Sequence, residues 1–205
     1  MTTEPLPEDL WPDVKPDAAR RLMAAAIESF ATNGYHATTT RDIANAAGMS
    51  PAALYVHFPS KAAVLSAISR SGHEQALTMV HDVATTTPDP VDAMSLIVQK
   101  FVAWHAKRHR VARVVQYELT ALPPADYAVV ADLRRRTEQL VRDVITAGVD
   151  AGRFDVPDIR MAARAVLSLG IDVARWYTDP AKPTPTALGR HYADLVLRML
   201  GAKVS

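Results

Sequence analysis

Cysteine is absent from the 205 residues. That excludes disulfides, removes thiolate ligands from any zinc site, and agrees with a reducing, cytoplasmic setting. A surplus of charge is missing too: 23 basic against 22 acidic side chains leave a formal net charge of +1, so the composition carries no bulk attraction for polyanions. No apolar run approaches the roughly 18 residues that span a bilayer, and the opening MTTEPLPEDL lacks the basic and apolar segments of a signal peptide. Nor does the chain show a glycine-rich phosphate loop, a Ser-His-Asp ordering, a carboxylate pair at catalytic spacing, or histidines grouped with a carboxylate on one helix face. These gaps argue against an enzyme, against a metal or other cofactor, and against a membrane partner. What is present is a hydrophobic content of 49%, enough to build a sizeable core.

Apolar spacing and helix breakers divide the chain. Residues 1–15 carry Pro5, Pro7 and Pro12 and read as a flexible N-terminal arm, with Trp11 expected to tuck against the domain rather than read a base. A helix from Asp17 to Asn33 follows, with Leu22, Ala26 and Phe30 at four-residue spacing and Gly34 closing it. Together with two short helices it completes a head over 16–60. The body, 61–201, reads as six further helices: from Lys61 to about Val83, from Pro90 past Trp104, from Lys107 to Leu122 where Pro123-Pro124 stops it, from Asp126 to Asp150, from Pro157 to Tyr177, and from Thr186 to Leu200. The expected fold class is therefore all-α with about nine helices: an N-terminal three-helix head and a C-terminal helical body.

The head rests on the stretch TTTRDIANAAGMSPAALYVHFPSK, Thr38 to Lys61. The threonine cluster supplies a cap for the first short helix, and Asp42 three residues after Thr39 allows a capping box. Gly48 suits a left-handed turn. Ser50 and Pro51 then serve as N-cap and first residue of the second short helix. Ile43, Ala47, Met49, Leu54 and Phe58 fall on the inward side, leaving Pro51, Ala52, Ala53, Tyr55, Val56 and His57 to face a major groove. That is the helix-turn-helix arrangement.

FATNGYHATTTRDIANAAGMSPAALYVHFPSK resembles the N-terminal domain of the TetR family of transcriptional repressors. Phe30, Gly34-Tyr35, Thr38, Ile43-Ala44, Ala47-Gly48, Ser50, Leu54-Tyr55, His57-Phe58 and Lys61 stand where that pattern expects them, over residues 18–68. Ala52 replaces a common glycine and Met49 a common valine. The resemblance implies an omega-shaped homodimer of nine-helix chains whose first three helices read DNA and whose remaining helices bind a small effector. The stretches VARVVQYELTAL, LRRRTEQLVRDVITAGVDAGRF and GIDVARWY are similar to actinobacterial members that respond to acyl-CoA thioesters.

Candidate DNA-binding residues are Thr39, Thr40, Arg41, Ser50, Pro51, Ala52, Ala53, Tyr55, His57 and Lys61. The hydroxyls, Arg41, His57 and Lys61 offer donors to phosphates, which set register without reading sequence. Pro51, Ala52 and Ala53 lack bidentate donors, so discrimination falls to thymine methyl contacts, water and DNA shape, with Arg41 as the best hydrogen-bond reader. Candidate ligand-binding residues are Trp104, His105, Tyr117, Glu118, Arg175 and Trp176, polar or amphipathic groups on apolar helices. For each of these six the plainer role is core packing. The arginines at 108, 110 and 113 and at 134–136 offer charge for CoA phosphates, or simply a solvated face. The resulting expectation is a cytoplasmic, dimeric repressor that leaves a palindromic operator on binding a lipophilic or acyl-CoA-type effector. An activator of the same architecture, or a helical lipid-binding protein without specific DNA affinity, would share the pattern. Homodimer contacts are expected through the helices at about 157–177 and 186–200, whose apolar faces a monomer would expose.

Overall fold

The computed structural model describes residues 10–11, 14–178 and 183–202. Among them are nine α-helices and one 3-10 turn, and no strand: α1 (Asp17–Asn33), α2 (Thr40–Ala46), α3 (Pro51–His57), α4 (Lys61–Thr86), α5 (Pro90–Lys107), α6 (His109–Glu118), the 3-10 turn Leu119–Ala121, α7 (Pro124–Asp150), α8 (Ile159–Trp176) and α9 (Pro185–Met199). The all-α expectation holds. One misplaced boundary signal is the diproline. Pro124 does not end a helix but begins α7, where its missing N–H has no intrahelical acceptor to satisfy. The helix expected to run on from Lys107 to Leu122 is also broken up, because Arg108 leaves helical geometry and the end of α6 tightens into the 3-10 turn.

The packing forms two compact units, and the division cuts across the head and body boundary expected at residue 60. The first unit takes the chain through Gly72 together with Arg110–Val130; the second takes His73–His109 and the chain from Ala131 onward. In the first, Leu22, Met23, Ile27 and Phe30 of α1 meet Ile43 of α2, Leu54 of α3, and Val64, Leu65 and Ile68 of α4. Val111, Val114 and Val115 of α6 join the same core, as do Leu122 and Val130. Two polar ties reinforce it: Arg110 pairs with Glu28 of α1, and the Ser66 hydroxyl donates to Asp126 at 2.7 Å. Leu10 and Trp11 are buried in this core as well, consistent with a tucked Trp11; residues 1–9 and 12–13 of the expected arm lie outside the described residues.

The second unit is built around α5, which packs on α8 and α9. Asp89 caps α5 by accepting from the Val91 and Asp92 amides at 2.8 and 3.0 Å, and it also takes Arg153 Nη1 at 2.7 Å. Those hydrogen bonds hold its carboxyl below the usual carboxylate range. Where α9 crosses α5, Gly189 is essential to the spacing: a Cβ there would stand 2.4 Å from the Gln99 carbonyl oxygen. The chain at 179–182 lies outside the described residues.

Candidate nucleic-acid interface

The exposed side of the head is assembled by caps. Gly34, at φ 80°, turns the chain out of α1, and the buried Thr38 locks that turn by donating its hydroxyl to the Gly34 carbonyl at 2.8 Å. Thr38 is thus a core residue. Thr39 is the cap of α2, in a complete capping box: its Oγ1 accepts from the Asp42 amide at 3.2 Å, and its own amide donates to Asp42 Oδ2 at 2.8 Å. The Thr39 hydroxyl, then its amide, keep the Asp42 carboxyl below its ordinary value.

Gly48, at φ 67°, makes the turn between α2 and α3, and the Met49 amide reaches back to the Ala44 carbonyl at 2.9 Å. Arg21 of α1 closes over this turn, donating from Nη2 to the Ala47 carbonyl at 2.7 Å. Nothing in the local motif marks Arg21; it sits 26 residues from its partner. Ser50 Oγ accepts from the Ala53 amide at 3.2 Å, and Pro51 opens α3. Leu54 is fully buried and Phe58 nearly so, which fixes the roll of α3. Pro51, Ala52, Tyr55 and Val56 consequently face outward, with Ala53 and His57 half-buried at the edges. Among the described residues Val56 is the most exposed large apolar side chain, at 79%.

Two candidates meet. Thr40 Oγ1 and the Tyr55 hydroxyl lie 3.0 Å apart, joining α2 to α3 across the outward face. Arg41 is exposed beside them. Lys61 Nζ donates to the carbonyls of Tyr35 and Thr38, each at 2.6 Å, and of His36 at 3.2 Å, and stands 4.4 Å from the centre of the Tyr35 ring. A lysine ammonium has three hydrogens, and three acceptors are in place.

The six ligand-binding candidates are divided between the two units. Tyr117 and Glu118 end α6 in the first unit, with Tyr117 63% exposed. Trp104, His105, Arg175 and Trp176 belong to the second unit. His105 is fully enclosed and its Nδ1–H donates to the Phe101 carbonyl at 2.8 Å. Burial, opposed by the Phe101 hydrogen bond and aided by the charge of His73, pushes its pKa down to about 4, so the ring is neutral. Its ring touches those of Phe101 and Trp104. Arg175 and Trp176 are exposed on α8, and Arg175 Nε donates to Asp172 at 2.8 Å. Two residues the sequence reading passed over, His109 and Tyr177, are buried with rings 5.8 Å apart. What brings them together is the approach of the α5–α6 junction to the end of α8, which no local spacing reveals. Among the described residues no group of three His, Asp or Glu is placed to hold a metal, and no helix is long and apolar enough to cross a membrane.

Known proteins share this architecture. Residues 17–68 match the family model of bacterial regulatory proteins of the tetR family, and residues 87–200 match the tetracyclin repressor-like C-terminal domain. The crystal structure of a tetR-family regulatory protein from Rhodococcus RHA1 is similar at 42% identity, with a TM-score of 0.86, over 93% of this chain and all of that one. The transcriptional repressor KstR2 of Mycobacterium tuberculosis is 27% identical over 86% of this chain and 89% of its own. FadR from Bacillus subtilis, solved in complex with stearoyl-CoA, shares the fold at 21% identity and a TM-score of 0.70, over 86% and 96% of the two chains. A helix-turn-helix head built by these caps, joined to a matching C-terminal domain, is the make-up of a DNA-binding transcription regulator rather than an enzyme, and the chain belongs to the TetR family.

Proposed function

We propose that the chain is a homodimeric repressor that holds a palindromic operator and leaves it on binding a lipophilic or acyl-CoA-type effector. The observation that carries the DNA half is the outward face of α2 and α3, where Thr39, Thr40, Arg41, Ser50 and Tyr55 surround an apolar surface of Pro51, Ala52, Ala53 and Val56, with His57 at the edge. On this reading the hydroxyls, His57 and Arg41 contact phosphates, and the small apolar side chains lie against base edges. With so few base-reading donors on one head, specificity comes from two heads at fixed spacing.

For dimerisation, the support is apolar surface on the last two helices: Met161, Leu169 and Trp176 on α8, and Leu195 and Met199 on α9. A second copy of the same faces would cover them. For the effector, the support is the aromatic and histidine-rich end of the second unit, where His105 is buried against Phe101 and Trp104 and where Arg175 and Trp176 are exposed, and the stearoyl-CoA complex of the Bacillus subtilis relative. Tyr117 and Glu118 remain candidates from the first unit. Operator and effector would then weaken each other by the same factor.

A mobility-shift assay with the DNA upstream of the chain's own gene tests this, run at two salt concentrations with specific and scrambled competitor. Binding that resists the scrambled competitor, and is released by acyl-CoA thioesters of some chain length, supports the whole reading. Binding indifferent to every thioester removes that effector class, and affinity for all DNA alike removes the repressor.

A further inference from the structure

We propose that His105 selects the effector: its Nε2 accepts a hydrogen bond from a neutral hydroxyl on the lipophilic part of that molecule, so the chain answers to hydroxylated lipophiles ahead of plain ones. The inference rests on the effector half of the proposed function and names the chemistry that half requires. His105 Nδ1–H donates to the Phe101 carbonyl at 2.8 Å and the ring is neutral, which leaves Nε2 with a lone pair and no hydrogen. Among the described residues no other group hydrogen-bonds the imidazole. His105 is only 4% exposed, yet Nε2 is not one of the atoms shut into the core without a bond; it opens onto space that a ligand atom can reach. An enclosed acceptor with no donor costs free energy, and a phenylalanine would fill the same place without that cost. A donor arriving with the effector removes it.

The surroundings decide which donor fits. Phe101 and Trp104 stand 4.3 and 4.9 Å from the imidazole, centre to centre, and both rings are inclined to it. Phe101 is itself held against Gly170 of α8, where a Cβ would come within 2.6 Å of its Cδ1. These are fixed, apolar walls, suited to a hydrocarbon body. Arg108 stands over the Trp104 ring, 5.4 Å from its centre, and His73 of α4 acts on His105 electrostatically. An ammonium donor would meet that positive charge after losing its hydration, so a neutral hydroxyl is the better partner. A ketone or ether of similar shape brings no hydrogen and would turn its own lone pair toward Nε2.

Matched probes with and without the hydroxyl test this. The full-length protein is titrated calorimetrically with 3-hydroxydecanoyl-CoA, 10-hydroxydecanoyl-CoA, 3-oxodecanoyl-CoA and decanoyl-CoA, and separately with 1-decanol and its methyl ether. The titrations are repeated on His105→Phe, which keeps the aromatic packing, and on His105→Gln, whose side-chain carbonyl still accepts. At least one hydroxylated probe is expected to bind about tenfold tighter than its hydroxyl-free partner. His105→Phe should remove that preference while binding the plain partner as before, and His105→Gln should keep part of it. Ring-nitrogen NMR should find Nε2 unprotonated in the free protein and shifted by the preferred probe, a signature that a merely structural histidine would not give. Equal binding within the pairs, a preference that survives His105→Phe, or an Nε2–H tautomer overturns the proposal. Thioesters that bind with no hydroxyl preference sink it and leave the acyl-CoA reading standing. A His105-dependent preference for 1-decanol with no thioester bound does the reverse, and no binding by any probe sinks both.

Discussion

Arg41 brings a permanent charge to the outward face of α2, whereas Thr40 and Tyr55 bring neutral hydroxyls 3.0 Å apart. Counterion release follows charge, so Arg41→Ala is expected to lower the salt slope of operator binding by about 0.9. Tyr55→Phe is expected to weaken binding about three- to tenfold with no change in slope. Because Thr40 and Tyr55 share a hydrogen bond, Thr40→Val combined with Tyr55→Phe should cost less than the two losses added; a salt titration of the four proteins measures all of this. His105 sets a pH dependence of the fold. Its folded pKa, about 4, lies below the ordinary 6.5, so the unfolded chain binds the extra proton between those values and stability falls as pH drops through that window. Urea unfolding should show a loss on the order of 2 kcal/mol between pH 7 and pH 5 that His105→Phe abolishes. Asp42 and Asp89 act in a lower window: their depressed values add stability that is present above about pH 4 and lost below it. At this scale the sequence was legible wherever a role depends on neighbours in the chain, as with the Thr39 and Ser50 caps. It was opaque for Lys61 and Arg21, whose acceptors lie 23 to 26 residues away.

Helices begin and end here where a side chain or a glycine satisfies backbone groups. Ser50→Ala leaves the Ala53 amide without its side-chain acceptor, and thermal unfolding should register a loss of about 1 kcal/mol with weaker DNA binding, since α3 is short and has little else to hold its start. Gly189→Ala forces α9 away from α5 and should cost about 1–3 kcal/mol, read by denaturant midpoint. Such signals explain why most element boundaries could be read in advance. Pro124 could not, because a proline stops one helix and starts another with the same ring, and only the partner elements decide. The break at Arg108 carried no glycine or proline to announce it; an unbroken run of Lys, Arg and His around it looks like continuous helix. The ligand-binding candidates were the least legible, since an amphipathic residue on an apolar helix looks the same whether it faces a core, a cavity or a second chain.

At the scale of the whole molecule, the exposed apolar residues of α8 and α9 bear on assembly. Leu195→Glu, placed at an exposed position, should leave the single chain folded while abolishing the dimer, as sedimentation velocity at micromolar concentration would show. Specific operator affinity should fall with it, because one head offers few base-reading groups. A chain that is already monomeric before substitution would dismiss the dimer.

The core that α6 shares with α1, secured by the Arg110 and Glu28 pair, bears on how such proteins can be recombined. A chimera that exchanges DNA specificity by cutting after residue 68, where the family model of the head ends, would strip Val111, Val114, Val115, Leu122 and Val130 from the core into which α1 was selected to fit. The transplantable piece is discontinuous. A graft that carries 110–130 along with the head keeps that core intact, and it should yield folded hybrids where the single cut yields aggregates.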